Sequence, residues 1–183
     1  MGHAGFGDRE IYAGRVVTLR LKYLAQPDGS RRLREVVEHA PGAAVVAVDR
    51  DGNVLLVRQA RPAVDARVLE LPAGLVDPGE KPIDCARREL AEETGFASRH
   101  VEPLVSFYTS PGFCTELIHI FVATDLYEVS VARDEEEEIE LERLPLADAI
   151  QRVLGGEISD AKTVAGLLAY ERRALPGSRP SLP

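Results

Sequence analysis

The residues with the clearest capacity for chemistry are acidic. In the stretch Gly74 to Phe96, GLVDPGEKPIDCARRELAEETGF, three glutamates stand at i, i+3 and i+4: Glu89, Glu92 and Glu93. On a helix that spacing puts their carboxylates on one face. Like charges so placed weaken an isolated helix by roughly 0.2–0.5 kcal/mol per pair, and Arg88, four residues before Glu92, offsets only part of that. The arrangement makes sense where hard divalent cations are held, because Mg²⁺ takes carboxylate oxygens together with water and substrate phosphate. A solvated glutamate face is the competing explanation, and the helix alone does not decide between them.

The wider spacing does. Gly74 is followed after five residues by Glu80, and after seven more by Arg88-Glu89-Leu90-x-Glu92-Glu93-x-Gly95-Phe96. These nine fixed positions within 23 residues resemble the Nudix box, and the chain resembles a Nudix hydrolase. The resemblance implies an α/β fold, an α/β/α sandwich with a mixed sheet, and hydrolysis of a nucleoside diphosphate linked to another group. It implies Glu89 and Glu93 as the principal metal ligands, with Glu92 a ligand or a neighbour of the ligands. The cofactor it implies is Mg²⁺, with Mn²⁺ or another divalent cation as the alternative. Each position also has a physical role. Gly74 lets the loop bend so that the Ala73 carbonyl turns toward the metal. Arg88 pairs with Glu80 and holds the loop to the helix. Leu90 anchors the helix in the core, and Gly95 adopts the left-handed conformation that ends it.

Three further stretches resemble the ADP-ribose pyrophosphatase branch: LLVRQARPAVDARVLELPAG (55–74), SPGFCTE (110–116) and ISDAKTVAGLL (158–168). With VVEHAPGAAVV (36–46), the resemblance runs over roughly residues 11–173. It implies hydrolysis of ADP-ribose to AMP and ribose 5-phosphate. Other NDP-sugars or dinucleotides are the alternative substrates. A non-catalytic ADP-ribose sensor is a third reading, against which the intact box argues. Glu116 in the SPGFCTE loop is implied as general base or extra metal ligand, acting beside Glu92 and Arg88. A base there must be an ionised carboxylate within hydrogen-bond reach of the attacking water. Arg61 first, then Arg58, are candidates for bidentate contact with a diphosphate, and Arg67 is a weaker one. Pro111 is a candidate substrate contact. Glu70 either binds the terminal ribose or is structural. A homodimer is also implied, its N-terminal sheet crossing to the partner and helping to clasp the adenine.

The elements that must position these groups follow from periodicity and turn signals. Residues 11–24 alternate apolar and polar and predict a strand. Gln26 to Ser30 is a turn and Arg34 to Glu38 a second strand, giving a hairpin or small antiparallel sheet. Ala43 to Val48 and Val54 to Gln59 form a buried hairpin around the turn 49–53. A short strand at Val68 to Leu71 precedes a loop and a helix from Pro82 to Glu93. Strands Val101 to Tyr108 and Leu117 to Thr124 flank the loop Thr109 to Thr115. Residues 138–142 are an edge strand, and helices cover Leu146 to Leu154 and Asp160 to Arg173. The expected division is 1–40 as an N-terminal β subdomain for dimerisation, 41–175 as the hydrolase domain, and 176–183 as a flexible tail.

Composition fits this scheme. The 183 residues suffice for one ordinary domain with a small appendage. The formal charge of −8 is concentrated: residues 74–96 hold six acids and three bases, 134–138 are five consecutive acids, and the rest is balanced. No basic footprint for nucleic acid exists. The run 134–138 is a solvated loop or an accessory part of the site. Cys85 and Cys114 form no disulfide framework, and His3, His39, His100 and His119 have no metal-ligand spacing. With no long apolar run and no signal sequence, the expectation is a cytoplasmic protein without a membrane partner.

Overall fold

The computed structural model describes residues 8–131 and 138–174. The chain packs as two units: residues 8–41 with Phe107–Leu117, and Gly42–Ser106 with residues 118–174.

The first unit is a three-stranded antiparallel sheet of β1 (Arg9–Ala13), β2 (Val17–Ala25) and β3 (Arg31–His39), in that order. The single strand expected over 11–24 is in fact β1 and β2. Gly14 reverses the chain, its N–H bonded to the Val17 carbonyl at 2.9 Å, and the apolar alternation runs on through the turn, which hides it from periodicity. The β2–β3 turn falls where expected. Gly29 has φ 79°, and Asp28 Oδ1 accepts the Ser30 N–H at 2.9 Å. After the long strand Phe96–Tyr108, the segment Phe107–Leu117 returns to this unit. There it pairs with β3 through Val37 N–H to Phe113 O (2.7 Å) and Thr115 N–H to Val37 O (3.0 Å).

The second unit holds a seven-stranded mixed sheet. Its elements are β4 (Gly42–Val48), β5 (Asn53–Arg61), β6 (Ala66–Glu70), β7 (Ala73–Leu75), α1 (Pro82–Thr94), β8 (Phe96–Tyr108), β9 (Leu117–Glu128), β10 (Glu140–Pro145), α2 (Leu146–Leu154) and α3 (Ala161–Ala174). The main order is β10-β5-β4-β9-β8, with β6 on β5 and β7 on β4. Strands β4 and β9 are parallel, and the β4–β5, β4–β7, β5–β6 and β5–β10 pairs are antiparallel. All seven residues of β4 are buried, as a central strand covered on both faces requires. Val45 and Ala47 face α1 with Cys85, Ala86 and Leu90. Val46 faces the other way, against Gly166 of α3. Helices thus cover both faces, which is the α/β/α sandwich. Leu90 is 1% exposed, so truncation to Ala costs about 2–5 kcal/mol.

One feature of this sheet builds the site. Strand β5 pairs with β4 only at Ala47–Leu55 and Val48–Val54. It then diverges, and β7 takes its place beside Gly42–Ala44. This short strand, read as loop from the sequence, carries Ala73 and Gly74 into the sheet.

Candidate active site

Helix α1 starts at Pro82, whose fixed φ suits a first turn, and ends at Gly95 with φ 75° and its N–H on Ala91 O at 2.9 Å. Its buried face carries Cys85, Ala86, Glu89, Leu90, Glu93 and Thr94. Two of the three glutamates therefore lie within the buried stripe, and Glu92 sits at its margin with a 40% exposed side chain.

Strand β7 meets that stripe. Glu93 Oε2 accepts the N–H of Ala73 at 2.9 Å. The Glu89 carboxylate lies directly on Gly74, where an added Cβ would stand 1.9 Å from Oε1. The expected reason for glycine at 74 was a bend. Gly74 instead has no positive φ and is extended within β7, and what the site requires of it is the absence of a side chain. The neighbouring backbone is equally tied: Leu71 N–H donates to Thr163 Oγ1 (2.8 Å) and Val45 N–H to Pro72 O (3.0 Å). Ala73, Gly74, Glu89 and Glu93 are thereby brought together.

Arg88 binds three carboxylates. Its Nε and Nη2 reach the two oxygens of Glu80 at 3.1 Å each, and Nη1 reaches Glu89 Oε1 at 2.5 Å and Glu92 Oε2 at 3.2 Å. Nη2 also donates to Leu75 O, so the loop is held to the helix as expected. Hydrogen bonds from Arg88 and from the Asp77 N–H hold the Glu80 pKa down at about 2, and the same pairing raises that of Arg88. Burial pushes the Cys85 thiol up to about 12. Its Sγ lies 3.3 Å from Leu75 O.

A second charged cluster lies in the same unit. Glu70, with a 2% exposed side chain, takes Arg61 Nε and Nη2 at 2.7 and 2.8 Å and also binds Lys162. Lys162 reaches Asp160 Oδ1 at 3.0 Å. Burial works to raise the Glu70 pKa, but the bonds from Arg61 and the charge of Lys162 outweigh it and leave the pKa lowered. The Arg61 pKa is raised, first by its bond to Glu70, with Asp160 and Glu93 adding to the pull. Arg58 is engaged elsewhere, on Glu142 of β10 at 3.0 Å, and Glu142 also binds Arg152 at 2.8 Å. Arg67 pairs with Glu140 at 3.1 Å.

In the first unit, Pro111 lies in the turn closed by Phe113 N–H to Ser110 O at 3.1 Å. Glu116 Oε2 accepts the Thr109 hydroxyl at 2.7 Å, and His39 Nδ1 stands 3.3 Å from Oε1. Of the acidic run, Glu138 is almost fully exposed, 3.6 Å from Arg67, and residues 134–137 lie outside the described residues.

Sequence reasoning missed His39, Thr109, Asp160, Lys162 and Thr163. Asp160 had a usable signal. An Asp three residues before a Thr at a helix start is a capping pattern, and its Oδ2 takes both the N–H (3.0 Å) and the hydroxyl (2.6 Å) of Thr163.

Among the described residues no three His, Cys, Asp or Glu side chains stand together as a metal cluster. The donor chemistry nonetheless fits a hard cation. Two buried carboxylates one helical turn apart offer oxygen ligands, in a segment with three more acids than bases.

Residues 38–167 match the NUDIX domain, and the chain belongs to that family. It is 38% identical over 156 residues to an ADP-ribose pyrophosphatase of Bacillus subtilis, covering 84% of each chain. A GDP-mannose pyrophosphatase of Cronobacter sakazakii is 39% identical over 165 residues, covering 83% of this chain and 85% of that one. The crystal structure of an ADP compounds hydrolase superposes with a TM-score of 0.81 at 27% identity, covering 91% of this chain and 90% of that one. No helix among the described residues is long and apolar enough to cross a membrane.

Proposed function

We propose that the protein hydrolyses the diphosphate of ADP-ribose, adding water across the P–O–P bond to give AMP and ribose 5-phosphate. The observation that carries this reading is the meeting of α1 with β7, where Glu93 binds the Ala73 N–H and Glu89 rests on Gly74. The similarity to an ADP-ribose pyrophosphatase over most of both chains supports the substrate.

We assign Glu89, Glu93 and the Ala73 carbonyl as ligands of Mg²⁺, with Glu92 beside them. The cation supplies neutralisation of the diphosphate and activation of water. Arg88 holds Glu89 and Glu92 in place and ties them to Glu80. Arg61 is the favoured diphosphate contact. Its bond to Glu70 uses the Nε and Nη2 edge of a guanidinium that carries five N–H donors. Glu70 accordingly orients Arg61 rather than reading a ribose, and Arg58, paired across β5 and β10, becomes the weaker candidate. Glu116 takes the proton of the attacking water, a role that rests on the SPGFCTE pattern, and Pro111 shapes its loop. The N-terminal sheet exposes Ile11, Tyr12, Leu24 and Leu33, which supports pairing into a homodimer. Two free cysteines suit a reducing, cytoplasmic setting.

The test is a hydrolysis panel of ADP-ribose, GDP-mannose, other NDP-sugars, NADH and diadenosine polyphosphates, with Mg²⁺ or Mn²⁺ and with chelator. The expected result is Mg²⁺-dependent AMP release, fastest from ADP-ribose. Preference for GDP-mannose would move the assignment to the second reading, which the Cronobacter relative favours. Tight ligand binding with no product would sink hydrolysis itself.

A further inference from the structure

The loop that carries Glu116 is secured to the end of β3 by more than the strand-like pairing of Val37. His39 N–H donates to Thr115 Oγ1 at 3.0 Å, and the same hydroxyl donates back to His39 O at 3.2 Å. Thr109 N–H closes the loop on Glu116 O at 3.2 Å. These bonds deliver two side chains to the two oxygens of one carboxylate. The Thr109 hydroxyl meets Oε2 at 2.7 Å and His39 Nδ1 faces Oε1 at 3.3 Å.

The tautomer of His39 follows from its neighbours. Nδ1 lies 2.7 Å from the Ala40 carbonyl as well as 3.3 Å from Glu116 Oε1. Both are acceptors, so Nδ1 carries the proton whatever the state of Nε2. A glutamate side chain otherwise samples several rotamers, and a proton acceptor must present its lone pair in one direction. The Thr109 hydroxyl donates to Oε2, and the Nδ1 edge of His39, its proton on the nearer Ala40 carbonyl, borders Oε1 at 3.3 Å, so the carboxylate is confined on both of its oxygens.

We propose that His39 and Thr109 are positioning residues for Glu116, so that the N-terminal sheet, through the end of β3, orients the carboxylate used in turnover. This rests on the reading of Glu116 as a participant in hydrolysis, and Glu116→Gln, which keeps its shape, tests that part separately.

The experiment measures kcat and KM for ADP-ribose hydrolysis on the full chain, with melting curves, for Glu116→Gln, His39→Ala, His39→Asn, Thr109→Val and Thr109→Ser. Asparagine places an amide N–H where Nδ1–H stood, and serine keeps the hydroxyl. The expected pattern is a kcat loss of about 10- to 100-fold in His39→Ala and Thr109→Val, the size typical of losing a partner that orients an active group. KM should be unchanged, and most of the rate should return in His39→Asn and Thr109→Ser. If Glu116→Gln is crippled while folded His39→Ala and Thr109→Val turn over like the parent, the positioning role is overturned and Glu116 stands. If Glu116→Gln itself turns over like the parent, the reading beneath the proposal fails with it. Should His39→Ala not fold, Thr109→Val against Thr109→Ser decides alone.

Discussion

Glu70 and the Glu89–Glu93 pair are buried carboxylates in the same unit, and they are neutralised differently. Glu70 meets two cations of the chain itself, Arg61 and Lys162, with Asp160 completing a set of two positive and two negative groups. On α1, Arg88 is divided among Glu80, Glu89 and Glu92, and the surrounding segment keeps three more acids than bases. Burying a carboxylate costs several kcal/mol unless a countercharge is at hand. The Glu70 set is closed, with its charges balanced inside the chain. The segment 74–96 carries net acidic charge, as the cation binding proposed above requires.

Removing one carboxylate from each set should separate the two roles. Glu93→Gln should lower Mg²⁺-dependent turnover by orders of magnitude, while the melting temperature holds or rises because like-charge repulsion within α1 is relieved. Turnover within a few-fold of the parent would refute the ligand assignment.

Gly74→Ala should cost nearly as much. The new Cβ would occupy the place of the Glu89 carboxylate, and strand backbone cannot retreat while β7 stays paired to Ala43 and Ala44. Glu89 must swing away. Mg²⁺ titration followed by calorimetry should show weakened binding, and binding equal to the parent's would show that Glu89 contributes nothing at that place.

Glu70→Gln should act on stability instead. Removing one member of a buried ion pair strands its partners, at a cost of about 3–5 kcal/mol, readable by urea unfolding. The folded Glu70 pKa lies below its ordinary value. Its contribution is therefore complete above the unfolded pKa of ~4.3 and is lost as pH falls through the lower folded value. The parent should lose stability in that acid window, and the variant should show a shallower acid limb. Identical limbs would mean Glu70 is not held ionised by Arg61 and Lys162.

How much of this was legible beforehand depended on whether the signal was local. The clustering of the α1 glutamates was readable because one helix carries them at fixed spacing, and Pro82 and Gly95 mark its ends. The Arg88–Glu80 pair was equally near in sequence. Glu70 was left between two roles because its countercharge Lys162 lies 92 residues away. Strand β7 was hidden because three residues show no period, and its existence depends on β5 leaving β4. The β1–β2 turn was hidden because alternation continues across it. His39 was judged by metal-ligand spacing, a test blind to a single bond made to a distant loop.

The smallest expected effect concerns the thiol beneath the acidic set. Cys85 is buried on the face of α1 that also holds Glu89, and its raised pKa comes first from burial, with the charges of Glu89 and Glu80 adding and Arg88 opposing. A thiolate there would be one more anion where anions already exceed the local cation, so the thiol stays protonated at any working pH. Thiolate is the reactive form. Cys114 lies half-buried in the loop of the other unit. Alkylation at pH 8 followed by mass spectrometry should modify Cys114 in the native protein and Cys85 only after unfolding. Equal native rates would show that the helix face opens readily, and the contrast between the closed Glu70 set and the cation-binding face proposed for α1 would lose its structural basis.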